Sequence, residues 1–381
     1  MSLSSSSKQC ILITLLISIF FVSKAQIDLS HRFTYEEFDT NATGNLYFRL
    51  ENNNFVKNNE YFGEYTEGYT LPGYSIQPSL MYYAGNKVRI KIGSHLVKYS
   101  GTNNFTEVVP VVSAHVKIGK NWDMVLGSIK GHVHHKLIEP LFSSDWQYFV
   151  STETGAQFYH NTSKLWLDTW VDWEQFIFKG DTIPEIFTAG LSLDYQISDA
   201  DAALSISIPF QLTAAHLGGQ ISNYTIESFS LINSAAGIKI SKKINTNFVK
   251  KIGIAAYFCT YNDLTETKGL PYNNGHAFYP TGTLTYKYGE IMAGYWNSSD
   301  FFAPKGSSLF YSISDYKDQY YSQRRQILTT KFTFSRTLMK HVKFGLLAES
   351  YYDLDASALE YSYGVNLVFT PNFFITKINF E

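Results

Sequence analysis

Apolar and polar side chains alternate along this chain from Leu80 to Phe369, in stretches of about ten residues separated by turns and polar loops. Successive side chains of a β-strand point to opposite faces, so alternation gives each strand one apolar and one polar face. In the stretch 87–92 the apolar set is Val88, Ile90 and Ile92, and the charged set is Lys87, Arg89 and Lys91. The pattern predicts strands with lipid on one side and water on the other, which is typical of a transmembrane β-barrel.

The alternation and the turn residues together predict about 16 strands, with 14 as the alternative count. The predicted strands lie near 44–51, 73–84, 87–99, 108–119, 122–132, 154–161, 164–175, 187–196, 202–215, 229–241, 247–260, 276–287, 289–297, 327–337, 342–353 and 360–369. Tight turns and longer loops connect them, and the longest loops are 131–153, 261–275 and 297–326. The predicted fold is all-β, an antiparallel up-and-down barrel with short turns in the periplasm and long loops outside the cell.

The C-terminal end does not fit this count. After Thr370, Pro371 and Asn372, the segment 373–381 again looks like a strand, which would make the total odd. Either one strand has been split in two, or the segment 44–51 lies outside the barrel. We keep 16 as the expectation because barrels of this kind have an even number of strands.

The N-terminus looks like a secretory signal peptide that occupies residues 1–25. Lys8 supplies a positive charge, an apolar core runs from Cys10 to Val22, and Ala25 ends a small-residue cleavage site. The apolar core is too short for a spanning helix. We therefore expect a single barrel domain over residues 26–381, exported to the bacterial outer membrane.

Composition supports a membrane barrel and excludes some other classes. Aromatic residues make up 17% of the chain, with 28 Tyr and 29 Phe, which suits aromatic girdles at two membrane interfaces. The net charge of −2 gives no basic excess, so no nucleic-acid partner is expected. Removal of the signal peptide leaves Cys259 as the single cysteine, so an internal disulfide is excluded. No cofactor is predicted.

The Tyr- and Asn-rich strands, the signal peptide and the aromatic-rich C-terminal hairpin resemble outer-membrane β-barrel proteins of Bacteroidetes, a porin-like group. Tyr361, Tyr363, Val365, Leu367 and Phe369 form a C-terminal pattern similar to the one that such barrels present to their insertion machinery. The resemblance implies an outer-membrane location and a pore. It brings no catalytic or binding residues with it.

One predicted strand face carries acids and indoles together. Alternation puts Trp166, Asp168, Trp170, Asp172 and Glu174 on the same side. Carboxylates facing hydrocarbon would be costly, so this face is expected to line the lumen, where indoles stack on sugar rings and carboxylates accept hydroxyl hydrogen bonds. The alternative is that the tryptophans pack the lumen or anchor the barrel at a membrane interface.

A basic face is predicted on two neighbouring strands. It comprises Lys87, Arg89, Lys91, His95, His115 and Lys117. Facing acidic and basic walls would create a field across a pore that orients dipolar solutes. The alternative is a lattice of salt bridges that closes the lumen.

Three histidines follow Gly131 in the long loop 131–153. His132 and His134 would suit a transition-metal ion if they shared a face, but no second ligand pair of recognised spacing accompanies them. Metal binding is therefore not predicted, and these two are weak candidates. The nearby apolar segment 137–142 is expected to fold inward as a plug or constriction.

The predicted function is a porin-like channel for passive diffusion of small polar solutes, including saccharides. Its expected partners are outer-membrane lipid, the barrel-insertion machinery and the solute itself. The alternatives are a non-conducting barrel whose extracellular loops bind a partner or surface glycan, and a lipid-active enzyme. The sequence contains no Gly-x-Ser-x-Gly motif, so the expectation is that the chain is not an enzyme.

Overall fold

The structure, a computed structural model, describes residues 29, 35–149, 152–199, 202–219, 221–224, 228–244, 246–265 and 269–378. The predicted signal peptide lies outside the described residues. Among the described residues, none of the helices is both long and apolar enough to cross a membrane.

The chain forms one antiparallel sheet that closes into a barrel. Its strands are β1 (Asn45–Glu60), β2 (Tyr69–Tyr83), β3 (Val88–Tyr99), β4 (Glu107–Lys117), β5 (Trp122–Ser128), β6 (Thr154–Asn161), β7 (Leu165–Gln175), β8 (Glu185–Gln196), β9 (Leu204–Gly218), β10 (Phe229–Lys243), β11 (Val249–Asp263), β12 (Asn274–Tyr286), β13 (Gly289–Ser299), β14 (Arg324–Met339), β15 (Val342–Asp353), β16 (Ala358–Phe369) and β17 (Asn372–Lys377). Each strand from β1 to β16 pairs with its neighbour in sequence, and β16 pairs with β1.

The C-terminal segment is the continuation of β16 and not an additional position in the barrel. β16 pairs with β1 over Asn52–Glu60, and β17 pairs with the same strand over Asn45–Arg49. Pro371 stands at the break, where its carbonyl accepts a hydrogen bond from the Leu50 N–H. Proline has no N–H for the ladder, so it interrupts the strand without ending it. The barrel therefore has 16 strand positions, as predicted, and one strand had been split in two.

The first strand is longer than predicted, because Asn-rich sequence disfavours a strand prediction. The segment 52–60 was missed, although it pairs with β2 on one side and with β16 on the other. Pairing on both sides and inward contacts of Lys57 and Asn59 with an interior loop outweigh the low strand propensity of asparagine.

The alternation separates an outer apolar surface from a buried interior. Ile92 is 58% exposed on the outside of β3, whereas Arg89 on the same strand is 1% exposed. Tight turns gather at one end of the barrel, which also holds the start of β1 and the end of β17; the longer loops gather at the other end. We call these the tight-turn end and the long-loop end.

The interior is filled by chain segments that leave the wall. The loop 129–153 between β5 and β6 folds inward with a 3₁₀ turn (His132–His135) and a one-turn helix (Trp146–Phe149). The loop 300–323 also folds into the barrel interior, where its Phe301 and Phe310 are fully buried. The predicted inward folding of 137–142 is confirmed, because Ile138 and Leu141 lie in the interior hydrophobic cluster.

Candidate functional site

Two histidines of the loop 129–153 meet one carboxylate inside the barrel. The His135 Nε2 lies 2.6 Å from Glu153 Oε2, and the His132 Nδ1 lies 3.2 Å from Glu153 Oε1. A 3₁₀ turn has three residues per turn, so residues three apart share a face. The pair on one face is therefore His132 and His135, not His132 and His134 as the sequence suggested. His134 instead approaches the ring of Tyr35.

Asp168 completes this group from the barrel wall. Its Oδ2 lies 2.8 Å from His135 Nδ1, and its Oδ1 accepts a hydrogen bond from Gln157 Nε2 at 2.9 Å. We call His132, His135, Glu153 and Asp168 the histidine cluster. Metal binding at the weak candidates His132 and His134 stays untested; among the described residues, no group of three or more His, Cys, Asp or Glu is arranged to hold a metal ion.

The indole of Trp170 packs against one side of the histidine cluster. The Trp170 ring stacks on the His135 imidazole, with centroids 3.5 Å apart and planes 8° apart. The indole lies directly over Gly190 of β8, where a Cβ would stand 2.1 Å from the ring. Because glycine has no side chain, the indole can lie across the neighbouring strand here. Gly190 is therefore needed for Trp170 to reach His135.

The loop members of the cluster carry opposite charges. Burial opposes the charged form of His135, but Glu153 and Asp168 outweigh it and raise the pKa of His135 to about 9. Burial likewise opposes the charged form of Glu153, but His135 and His132 lower the pKa of Glu153 to about 2. At neutral pH these two shifts favour an imidazolium at His135 paired with the Glu153 carboxylate.

The rest of the acid and indole face has separate partners. Lys136 Nζ lies 4.2 Å from the ring centroid of Trp166, and Asp172 is buried, where it accepts a hydrogen bond from the Thr154 N–H. Glu174 lies near the long-loop end, where it pairs with Lys305 at 2.7 Å. The five residues share a face, as alternation requires, but only Asp168 and Trp170 meet at one partner, His135. Contact of these five residues with a solute stays a prediction.

The basic face is covered by the described N-terminal segment. Arg89 donates a hydrogen bond to the Glu36 carbonyl, Lys91 lies over the ring of Tyr35, and the Phe38 ring packs between His115 and Lys117. His115 and Lys117 also pair with Asp123, and His95 contacts Gln77. Lys87 does not join them, because it is exposed in the turn before β3. These contacts form a lattice rather than an uncovered charged wall, and a solute-binding role for these residues stays a prediction.

A small cavity of about 120 Å³ adjoins the histidine cluster. His132 and Glu153 line it, together with Asn53, Gln147 and Thr152. The side-chain oxygens of these last three residues are buried and have no hydrogen-bond partner among the described residues. Buried polar atoms are normally satisfied, so three such atoms at one cavity indicate a place for a polar ligand group or water.

A larger cavity of about 380 Å³ lies between the inward loop and the opposite wall. We call it the serine cavity, because many of its side chains carry hydroxyl or amide groups. Its lining includes Ser192, Ser205, Ser207, Gln196, Gln211 and Trp166. His132 lines this cavity as well as the small one, so its imidazole stands between the two spaces.

A second ionic group anchors the inward loop to the wall, and sequence reasoning missed it. Lys331 pairs with Glu139 at 2.5 Å and with Glu349 at 2.7 Å, while Lys57 pairs with Asp145 at 2.5 Å and with Glu349 at 3.1 Å. Glu153 of the histidine cluster was also missed. Alternation could place Lys331 and Glu349 on inward faces, but Lys57 lies in the Asn-rich segment 52–60 that was not predicted as a strand. No sequence signal shows where a loop carboxylate will dock.

Solved structures confirm the fold. The chain is similar to OprD of Pseudomonas aeruginosa, at 11% identity and a TM-score of 0.52, over 92% of this chain and 99% of that one. It is also similar to a loop-deletion mutant of OmpT, an outer membrane protein of Vibrio cholerae, at 11% identity and a TM-score of 0.51, over 86% and 99% of the two chains. At this identity the likeness concerns the fold alone.

No curated protein matches the chain. A family model, described as Lipid A 3'-O-deacylase-type, matches residues 38–378, which is most of the barrel. The expected kinship with outer-membrane barrels is confirmed. The expectation that the chain is not an enzyme is contradicted, because this family is named for an enzymatic activity. The chain is an outer-membrane β-barrel and belongs to the Lipid A 3'-O-deacylase-type family.

Proposed function

We propose that this barrel is an esterase that removes an ester-linked acyl chain from a membrane lipid of the lipid A type. Water adds to the ester carbonyl while His132 accepts one of its protons. The bond between the acyl carbon and the sugar oxygen then breaks, and His132 returns that proton to the sugar oxygen as it leaves. The products are a free fatty acid and a lipid with one more hydroxyl group. The observation that carries the proposal is the pairing of His132 with Glu153 beside a cavity that holds three unsatisfied polar atoms.

His132 suits the role of general base better than its neighbour His135. His135 has both ring nitrogens engaged by carboxylates, and its raised pKa keeps it protonated at neutral pH. The His132 ring lies beside one carboxylate, with Nδ1 3.2 Å from Glu153 Oε1, and it lines two cavities. A general base must be within reach of the reacting water, and the position of His132 between the two cavities suits that role.

The backbone at His132 supports the same assignment. Its φ is +55°, a left-handed conformation that is unfavourable for a residue with a side chain. The His132 N–H donates a hydrogen bond to Glu153 Oε1 at 3.0 Å, which helps to hold this conformation. Strained backbone tends to occur where the surrounding structure fixes a functional group. In the same cavity, the side-chain oxygens of Asn53 and Gln147 can accept hydrogen bonds from hydroxyl groups of a bound lipid headgroup.

The test is release of fatty acid from vesicles that contain lipid A, measured with the purified, folded barrel. We expect His132→Asn to lower the rate by about 10² to 10⁴, the range for loss of a general base, and Glu153→Gln to lower it less. Asparagine tolerates left-handed backbone, so this substitution preserves the loop. His276→Asn, at an exposed wall position, is the matched control. Unchanged release by His132→Asn would eliminate this residue as the base.

A second candidate function is slow passage of small polar solutes, with the long-loop end facing outside the cell. The serine cavity favours it, since about 380 Å³ of polar space remains beside the inward loop. Single-channel conductance in planar bilayers tests this function. A folded barrel with no conductance would remove it without affecting the esterase proposal.

A further inference from the structure

The barrel wall is incompletely paired between β4 and β5. β5 pairs with β4 over Ser113–Lys117, and the chain leaves the wall after Ser128 to enter the lumen. The other half of β4, Glu107–Val112, therefore has no strand partner on that side among the described residues. We call this region the β4–β5 seam.

The exposed backbone at the seam has few free donors. The Val112 N–H donates to Ser128 Oγ at 3.2 Å across the seam. Strand nitrogens point to alternate sides, so the nitrogen of Pro110 points to the same side as that of Val112, and proline has no N–H. An unpaired strand edge costs less in a membrane when a donor is absent. The sequence of β4 thus suits an edge that stays open.

An apolar groove of about 470 Å³ follows this seam on the outer surface of the barrel. Its lining includes Ile90, Pro110, Val112 and Leu126, and Val112 and Leu126 are 53% and 44% exposed. These side chains belong to the apolar outer surface that faces lipid, so the groove is continuous with the membrane interface. A hydrocarbon chain is the occupant that this position and chemistry fit.

The outer groove and the small interior cavity meet at one residue. Ser128 lines both of them, and Ile129, the next residue, begins the inward loop that carries His132. An acyl chain in the groove would therefore place its ester end near the wall position where the interior cavity begins.

We propose that the groove along the β4–β5 seam binds the acyl chain of the lipid substrate and delivers its ester to the small cavity from the side of the barrel. This inference rests on the proposed esterase function for its purpose, but the groove itself is tested by binding as well as by activity. It explains how a membrane lipid reaches histidines in a filled lumen. Entry from the long-loop end would require the lipid to leave the membrane.

The activity test compares two substrates. Val112→Trp fills the groove, and we expect release of fatty acid from lipid A vesicles to fall about tenfold or more, while hydrolysis of the soluble ester p-nitrophenyl acetate is unchanged. Ile291→Trp, which adds the same side chain to an exposed lipid-facing position of β13, is the matched control. Equal loss with both variants, or loss of both substrates in Val112→Trp, would overturn the proposal.

The binding test does not depend on catalysis. A lipid with a photoreactive diazirine at the end of its acyl chain is incorporated at low fraction into vesicles that hold the His132→Asn barrel. After irradiation, peptide mapping should find the label concentrated on 107–128, and Val112→Trp should remove it there. Label spread evenly around the barrel would overturn the groove. If His132→Asn keeps full activity but the label still concentrates on 107–128, only the proposed base is lost.

Discussion

Two seams of this barrel differ in a way that the chain order would not suggest. The seam between β1 and the last strand joins residues more than three hundred positions apart, yet β16 and β17 together pair along most of β1. The β4–β5 seam joins neighbours in sequence, yet half of β4 has no strand partner there within the part of the chain that the structure describes. The difference arises because the chain leaves the wall at Ile129 to fill the lumen. At the seam between β1 and the last strand, pairing along β1 closes the barrel. At the β4–β5 seam, pairing is shortened because the chain turns inward to build the interior site.

The β4–β5 seam depends on what holds the loop 129–153 inside. The middle of the loop is fixed by the pairs of Glu139 with Lys331 and of Asp145 with Lys57, and its two ends are joined in the histidine cluster. If these contacts were lost, the loop could leave the lumen and the contrast between the two seams would disappear. The predictions below act on these contacts and on the seam itself.

The largest effect is expected from Lys331→Met. This change leaves the carboxylates of Glu139 and Glu349 buried without their shared cation, which typically costs about 3 to 5 kcal/mol. We expect the loop 129–153 to become sensitive to limited proteolysis while the strands stay protected. Lys164→Met is the control, since its exposed pair with Asp199 should contribute about 1 kcal/mol or less. Equal protease resistance in the two variants would show that the loop is anchored elsewhere.

A smaller loss of loop stability is expected when the pH is raised. Histidine in an unfolded chain has a pKa near 6.5, whereas the pKa of His135 is raised to about 9. The charged imidazole therefore stabilises the folded loop fully below about pH 6.5, and this stabilisation is lost as the pH rises through about 9. The loss is on the order of 3 kcal/mol. Protease sensitivity of the loop should rise over that interval in the native protein and stay flat in His135→Gln.

The smallest effect is expected at the seam itself, from Gly127→Ala. Gly127 has a φ of +88°, and an added Cβ would stand 2.1 Å from the Val112 carbonyl oxygen, so the last pair between β4 and β5 should open. We expect a loss of about 1 to 2 kcal/mol from the backbone conformation, measured by denaturant unfolding. Gly282→Ala is the control, because the added Cβ would lie 3.9 Å from the Gly253 carbonyl oxygen, an ordinary contact distance. If Gly127→Ala leaves the free energy of unfolding unchanged, the strands at the seam can move apart without cost and the close contact of Gly127 with Val112 does not stabilise the barrel.

Alternation along the strands was sufficient to predict the wall. It separated Ile92 from Arg89 and gave the 16 strand positions, because the period of two is a property of every strand. It could not show that Pro371 interrupts a strand rather than ending one, since a proline is compatible with both. It also missed 52–60, where pairing on two sides overrides the low strand propensity of asparagine.

The interior was much less predictable. The shared face of Asp168 and Trp170 followed from alternation, but their partner His135 comes from a loop whose path no local pattern records. Lys57 and Glu349 are 292 residues apart and meet only because the barrel closes. The absence of a known nucleophile motif led to the expectation of a non-enzyme, yet a histidine that activates water needs no such motif.

The most direct measurement of the central claim is mass spectrometry of lipid A recovered from vesicles incubated with the purified barrel. We expect a product lighter by one acyl chain and heavier by the hydrogen that replaces it, formed by the native protein and by His276→Asn, and nearly absent with His132→Asn. Lipid A of unchanged mass after incubation with the folded native protein would contradict it.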